Sequence, residues 1–225
     1  MYFQMLKLLL IALTLFLSIL LRAECRIIEI TAVMDTTQPP SFDKYAKMAR
    51  YIIHNSQWIS VATISTQNNI NGQPFVSLKS FSDGPMDNST GIPYLYMTDQ
   101  DMSAQDLLKN NHVTVMATLA QSGYCKDKNY DPQDPRCPKV MLTGQYLKLD
   151  QSSWEYDFGQ KSLFARHPQM KKWPKAHGFY VAKIDIQQVL VLDYFGGVKH
   201  VDVEDYFKVK LSDIADLKFY DFMFI

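Results

Sequence analysis

The chain has no apolar run long enough to cross a bilayer. Its longest, LLLIALTLFLSILL at residues 8–21, falls short of the roughly 20 residues a spanning helix needs. It has the length of a signal-peptide core and follows Lys7, so export is expected, with cleavage after Cys25 or after Ala23. Residues 1–25 are then a signal peptide and 26–40 an N-terminal extension, and no integral membrane segment remains. Charge of either sign is also in no surplus, with 23 Lys and Arg against 23 Asp and Glu. That balance, with no Lys/Arg cluster, argues against a nucleic-acid partner, because neutralising phosphates needs a concentrated positive stripe.

The signatures of common catalysis are missing too. There is no G-x-S-x-G nucleophile elbow, no G-x-G-x-x-G and no Walker loop, which removes the hydrolase, dinucleotide and P-loop readings. The histidines, His54, His112, His167, His177 and His200, fall in no metal-ligand spacing, so no metal site is expected. No catalytic residue is assigned. Cysteine is scarce, at three. Cleavage after Cys25 leaves Cys125 and Cys137, which either pair or stand as two buried thiols, and export favours the pair. A bridge there would close a short loop worth ~3 kcal/mol in the entropic model, and a bridged Cys125 is no nucleophile.

What the chain does contain is apolar and aromatic side chains in quantity, 47% and 13% of residues, enough for one domain with a substantial core. No internal repeat or second domain is visible. Phe42, Tyr45, Ala49, Ile52 and Ile53 recur at helical spacing, and Ser41 or Asp43 is placed to cap that helix. Residues 58–66 and 75–81 alternate around turn material at 68–72 and read as a β-hairpin. Residues 94–97 form a short third strand, 104–109 a short helix, and 113–119 a half-buried antiparallel strand. Residues 121–138 carry three prolines and Gly123 and read as irregular. A strand over 140–149 follows, then a helix over 151–166 halted by Pro168, a long strand over 179–194, and a short helix at 203–207. The tail, 211–225, ends in KFYDFMFI, too short to anchor in a membrane. Many short strands with few helices predict an antiparallel barrel or sandwich with flanking helices.

Two stretches draw the eye as chemistry. Arg166, His167 and two lysines crowd near Trp173, although a histidine before proline at a helix end is more often a cap or core residue. Asn88-Ser89-Thr90 is an N-glycosylation sequon set between turn signals, which suits modification of an exported chain.

Read in order, the pieces ATIST, PFVSLKSFSDG, YLYMTDQDMSAQDLLKN and HVTVMATLA resemble the flavin-binding split-barrel superfamily that includes the pyridoxine phosphate oxidases. LAQSGYCKDKNYDPQDPRCPKVMLTG, SLFARHPQMKKWP and VLDYFGG narrow the resemblance to the CREG family of secreted glycoproteins, over about residues 42–209. The resemblance implies a mainly β (α+β) fold, a six-stranded antiparallel split β-barrel with flanking helices at 41–210. It implies a homodimer, secretion with delivery to endosomes and lysosomes, and a role in growth control and differentiation, with a glycan-recognising sorting receptor as partner.

Flavin-binding cousins hold FMN at the dimer interface, with basic side chains from the strand aligned with Phe75 to Lys79 and from a Ser-x-Lys-like site aligned with Ser103-Ala104-Gln105; the residual phosphate set here is Lys79, Ser80 and Ser103. Here Ala104 and Gln105 are uncharged, and a phosphate dianion wants at least two charge-assisted donors. The resemblance further implies that the long 82–92 loop fills the flavin region. The expected reading is therefore a non-enzymatic glycoprotein with a degenerate flavin site and no cofactor. The alternative is an FMN-dependent oxidoreductase or another flavin- or tetrapyrrole-binding split-barrel enzyme.

Overall fold

A computed structural model describes residues 39–214. The expected signal peptide, most of the 26–40 extension and the tail beyond residue 214 lie outside the described residues. Six strands form a closed antiparallel barrel, and a seventh extends it on one side. They are β1 (Trp58–Ile64), β2 (Pro74–Ser82), β3 (Tyr94–Met97), β4 (His112–Thr118), β5 (Lys139–Lys148), β6 (Tyr180–Leu192) and β7 (Lys199–Val201). The order is β3-β2-β1-β4-β5-β6-β7, and β3 pairs with β6 to close the ring. The predicted split barrel is thus the observed fold.

Two-residue alternation makes this closure possible. β4 buries Val113, Val115 and Ala117 and turns Thr114, Met116 and Thr118 outward; β5 buries Val140, Leu142 and Tyr146 on the same interior. Each such aliphatic side chain contributes ~1.5–3 kcal/mol when fully withdrawn from water. Across the outer face, Thr114 and Thr143 share a hydroxyl hydrogen bond of 2.9 Å. The β5–β6 register shifts between Thr143 and Gly144, a bulge that lets the long β6 serve both β5 and β7.

Helix α1 (Tyr45–Asn55) covers the barrel, and its buried residues run without interruption from Met48 to His54. The predicted cap does not form. Lys44 stands at the N-cap with no side-chain bond, while the Ser41 hydroxyl donates to Asp43 at 2.6 Å. The Ser41 carbonyl is already engaged by the Lys44 amide in a turn, which holds both residues outside the helix. Helix α2 (Met102–Lys109) starts two residues earlier than predicted because Asp101 caps it, accepting from the Ala104 amide at 3.1 Å.

The 119–138 insertion is less irregular than expected. A 3-10 turn over Leu119–Ser122 and the single-turn helix α3 (Tyr124–Asp127) flank Gly123 at φ 88°. Cys125 and Cys137, both buried, stand as a bonded pair with Cα atoms 5.2 Å apart.

Helix α4 (Trp154–Arg166) is capped by Ser153 and ends at His167, ahead of a 3-10 turn over Pro168–Lys172. The short pair β7 was not foreseen: three residues with two turned half out carry too little alternation to be read as a strand. Helices α5 (Val203–Lys208) and α6 (Leu211–Ile214) then pack back on α1.

Candidate functional site

Two places concentrate polar chemistry. The first is a cavity of about 260 Å³ between β2, β3 and the segment after α4, lined by Lys79, Ser80, Asp101, Tyr96, Trp173 and Phe179 among others. That volume lies below the ~300–1,000 Å³ of ordinary ligand pockets. Its walls are aromatic: Tyr96 stacks on Phe179 at 4.9 Å and on Trp173 at 5.9 Å. Burial pushes the Tyr96 hydroxyl pKa upward, with the nearby Tyr156 adding to it.

The cavity's cation is already committed. Lys79 Nζ lies 2.6 Å from Asp101 Oδ2, and the other Asp101 oxygen caps α2. Of the expected phosphate set, the structure brings Lys79 and Ser80 to the cavity but not Ser103. Ser103 is buried, its hydroxyl 2.6 Å from that of Ser77. Gln105 is spent on Gln67 and on the Asp99 carbonyl. Asp101, which decides the electrostatics here, escaped the sequence reading. Its signal was available as an Asp three residues before Ala104 at a helix start, but nothing local pairs it with a lysine 22 positions earlier.

The second place is a buried network under the 82–92 loop. Asp83 is fully buried, and Arg166 Nη2 reaches its Oδ1 at 2.5 Å. Arg166 also donates to the carbonyls of His54 at 2.7 Å and Gly84 at 3.1 Å. His54 Nδ1 sits 3.0 Å from Arg166 Nη2 and 3.2 Å from Asp83 Oδ1, accepting from one or donating to the other according to its tautomer. The Ser89 hydroxyl donates to Asp83 and accepts from Arg50 Nη2. Burial alone would raise the Asp83 pKa; the hydrogen bond from His54 and the Arg166 charge overcome it and hold the carboxyl below its ordinary value.

Arg50 knits the other side, reaching the Val209 carbonyl at 3.1 Å and the Ser89 carbonyl at 2.9 Å. The Tyr206 hydroxyl donates to the Gly91 carbonyl at 2.7 Å. These bonds set the loop against α1, α4 and α5, and none of its residues lines the Lys79 cavity. Its buried Asp83 ties the loop to α1 through His54 and to α4 through Arg166.

Arg166 and His167, which look catalytic in sequence, are braces. His167 closes α4 and its Nε2 lies 2.9 Å from the Phe81 carbonyl. Trp173, 39% exposed, lines the cavity. Asn88 is exposed at the loop surface. Among the described residues no group of His, Cys, Asp or Glu is arranged to hold a metal ion.

Residues 40–208 match the family model described as "CREG, beta-barrel". Protein CREG1 of Gallus gallus is 42% identical over 183 residues, 80% of this chain and 94% of that protein. Protein CREG1 of Homo sapiens is 43% identical over 174 residues, 77% of this chain and 78% of that protein. Among solved structures, a heme binding protein from Mycobacterium smegmatis superposes with a TM-score of 0.58 at 17% identity, covering 76% of this chain and 62% of its own; that likeness is one of fold.

Proposed function

Because this chain belongs to the CREG family, we propose that it is an exported, N-glycosylated homodimer that acts by protein recognition and not by flavin chemistry. Its field of action is growth control, differentiation and endolysosomal function, with sorting through a receptor that reads the glycan on Asn88. The observation that carries the non-flavin half is the Lys79–Asp101 pair at 2.6 Å. A phosphate entering there meets a carboxylate beside the cavity's lysine. Ser103 is buried, and its hydroxyl is engaged by that of Ser77 at 2.6 Å. The residues do not fit FMN phosphate, which needs converging positive donors free of a competing anion.

Native protein purified gently is expected to show no stoichiometric flavin or haem absorption, and a stoichiometric spectrum would overturn the reading. Asp101→Asn sharpens the test. It keeps an oxygen to cap α2 while freeing Lys79, so it should raise FMN affinity by on the order of tenfold, as expected for releasing one charge-assisted donor worth about 1.4 kcal/mol. Titration of flavin fluorescence reads the change; equal affinity in both proteins would show that the Asp101 pairing is irrelevant.

For export and recognition, the support is the exposed Asn88, the bonded Cys125–Cys137 pair and the outward Val76 and Leu78, each 63% exposed on β2. The last two supply apolar surface for a second copy. Glycosidase treatment of secreted protein should increase its gel mobility, and Asn88→Gln should abolish that change. Sedimentation at micromolar concentration should give a dimer; a monomer would remove that part of the proposal.

A second reading has one observation in its favour. The cavity wall of Tyr96, Trp173 and Phe179 suits a planar ring, and a neighbour of the same fold is named a heme binding protein. The absorption spectrum separates this reading from the first.

A further inference from the structure

The even charge balance of the chain conceals a local imbalance. Between Asp157 and Asp185 there is no acidic residue, while Lys161, Arg166, Lys171, Lys172, Lys175 and Lys183 all fall there. The structure sorts these cations by what they touch. Arg166 is consumed by Asp83, and Lys183 by Glu155 at 2.8 Å. Lys171, Lys172 and Lys175 are exposed, and among the described residues none of them makes an ion pair. The carboxylates that follow Thr98 in the chain, Asp99 and Asp101, are paired with Lys148 and Lys79 and so do not neutralise the three lysines.

Trp173 stands among these lysines, 39% exposed. Its position is fixed from behind by stacking on Tyr96 and by Phe179 at 5.0 Å. The segment around it is stiff. Two 3-10 turns, Pro168–Lys172 and Lys175–His177, are joined through Trp173 and Pro174 and closed by Gly178 at φ 62°. Thr98 Oγ1 fastens the far end by donating to the His177 carbonyl at 2.5 Å. The side chains are thus displayed on a prebuilt platform, which lowers the ordering cost of binding.

A half-exposed indole flanked in the chain by unpaired cations and backed by aromatic rings matches the boundary of a bilayer. There the ring lies among the headgroups, lysine stems cover apolar surface, and ammonium groups meet anionic lipid. A soluble polyanion would use the lysines but leave the indole without a purpose. We propose that residues 168–178, with Trp173 at their centre and Lys171, Lys172 and Lys175 around it, dock this protein on an anionic lipid membrane. The inference rests on charge complementarity and does not depend on the flavin reading.

Flotation of the secreted, glycosylated protein with vesicles tests it, using phosphatidylcholine alone against phosphatidylcholine mixed with phosphatidylserine. Binding to the mixed vesicles only is expected, weakening as salt rises. Lys171→Ala, Lys172→Ala and Lys175→Ala together should lower partitioning about 100-fold, on the order of fivefold per lysine. These lysines are exposed, so an unchanged circular dichroism spectrum confirms that the triple variant is folded.

In a Trp58→Phe, Trp154→Phe background the remaining Trp173 emission should be quenched by brominated lipid in the mixed vesicles. Soluble glycerophosphoserine should fail to compete, separating a bilayer from its headgroup. The proposal is overturned by absence of binding to the mixed vesicles, by equal binding of the triple variant, or by unquenched Trp173 emission. Heparin binding as tight as vesicle binding would overturn it too, pointing to a soluble polyanion.

Discussion

Replacing Asp83 by alanine is expected to lower the unfolding free energy by ~3–5 kcal/mol, the cost of stripping a buried ion pair of one partner. Against the roughly 5–15 kcal/mol that holds an ordinary domain together, such a loss is a large share. The Arg166 guanidinium would be left buried without its carboxylate, and Ser89 and His54 would each lose a partner. Urea denaturation reads the change. Arg166→Ala should cost a similar amount, and the double variant much less than the sum, because each single change already orphans the other group. Additive losses would show that the pair is not coupled.

The same carboxylate sets an acid limit. Its pKa is depressed in the folded protein, so the folded state binds fewer protons there than the unfolded state does. The stabilisation is present above the unfolded carboxyl value of about 3.9 and is lost as pH falls below it toward the folded value. The Asp83 contribution should therefore be undiminished in mildly acidic compartments. Unfolding midpoints for the native protein and Asp83→Asn should converge only at strongly acid pH; convergence near neutrality would contradict the assignment.

Gly144→Ala is the second change expected to be severe, for a steric reason. A Cβ at Gly144 would overlap the Asp185 carbonyl and stand 3.1 Å from the Ile186 Cα. Both are backbone atoms of the neighbouring strand, so no side chain can swing aside. The cost should lie at or above the top of the ~1–3 kcal/mol overpacking range, with a lower melting temperature and poor secretion as readouts. Gly72→Ala is the control. Gly72 lies at φ 78° with open space around it, so it pays only the ~1–2 kcal/mol of a left-handed backbone. Equal effects at the two sites would mean that the bulge yields more readily than its geometry implies.

Much of the barrel was legible because its cause is local. Alternation in β1, β4 and β5 reports one face toward the core, and Pro168 marks the end of α4, whose start, capped by Ser153, falls at Trp154 and not at the predicted residue 151. The network that fixes the 82–92 loop was not legible. Its members, Arg50, His54, Asp83 and Arg166, lie on three different segments, and nothing in the local pattern says that an arginine before a histidine is braced against an aspartate 83 positions away.

The cavity was half legible. Lys79 could be aligned with a phosphate site, but the Asp101 that quenches it becomes visible only once β2 and α2 are side by side. The Ser103–Ser77 contact was hidden for the same reason, since Ser77 lies on β2.

The seam that closes the barrel has a further consequence, in the time domain. β3 pairs with β6 through Tyr94 and Lys183, Leu95 and Ala182, Tyr96 and Val181, and Met97 and Tyr180. Partners so far apart in the chain meet only after a long loop has been ordered, which is the slow kind of contact. A chain emerging from the ribosome can assemble the β1–β2 hairpin early. It must wait for residues beyond Tyr180 before the edge of β3 is covered, and until then that edge and the unlined cavity are open to other chains. Closure of this seam is expected to be the late step of folding.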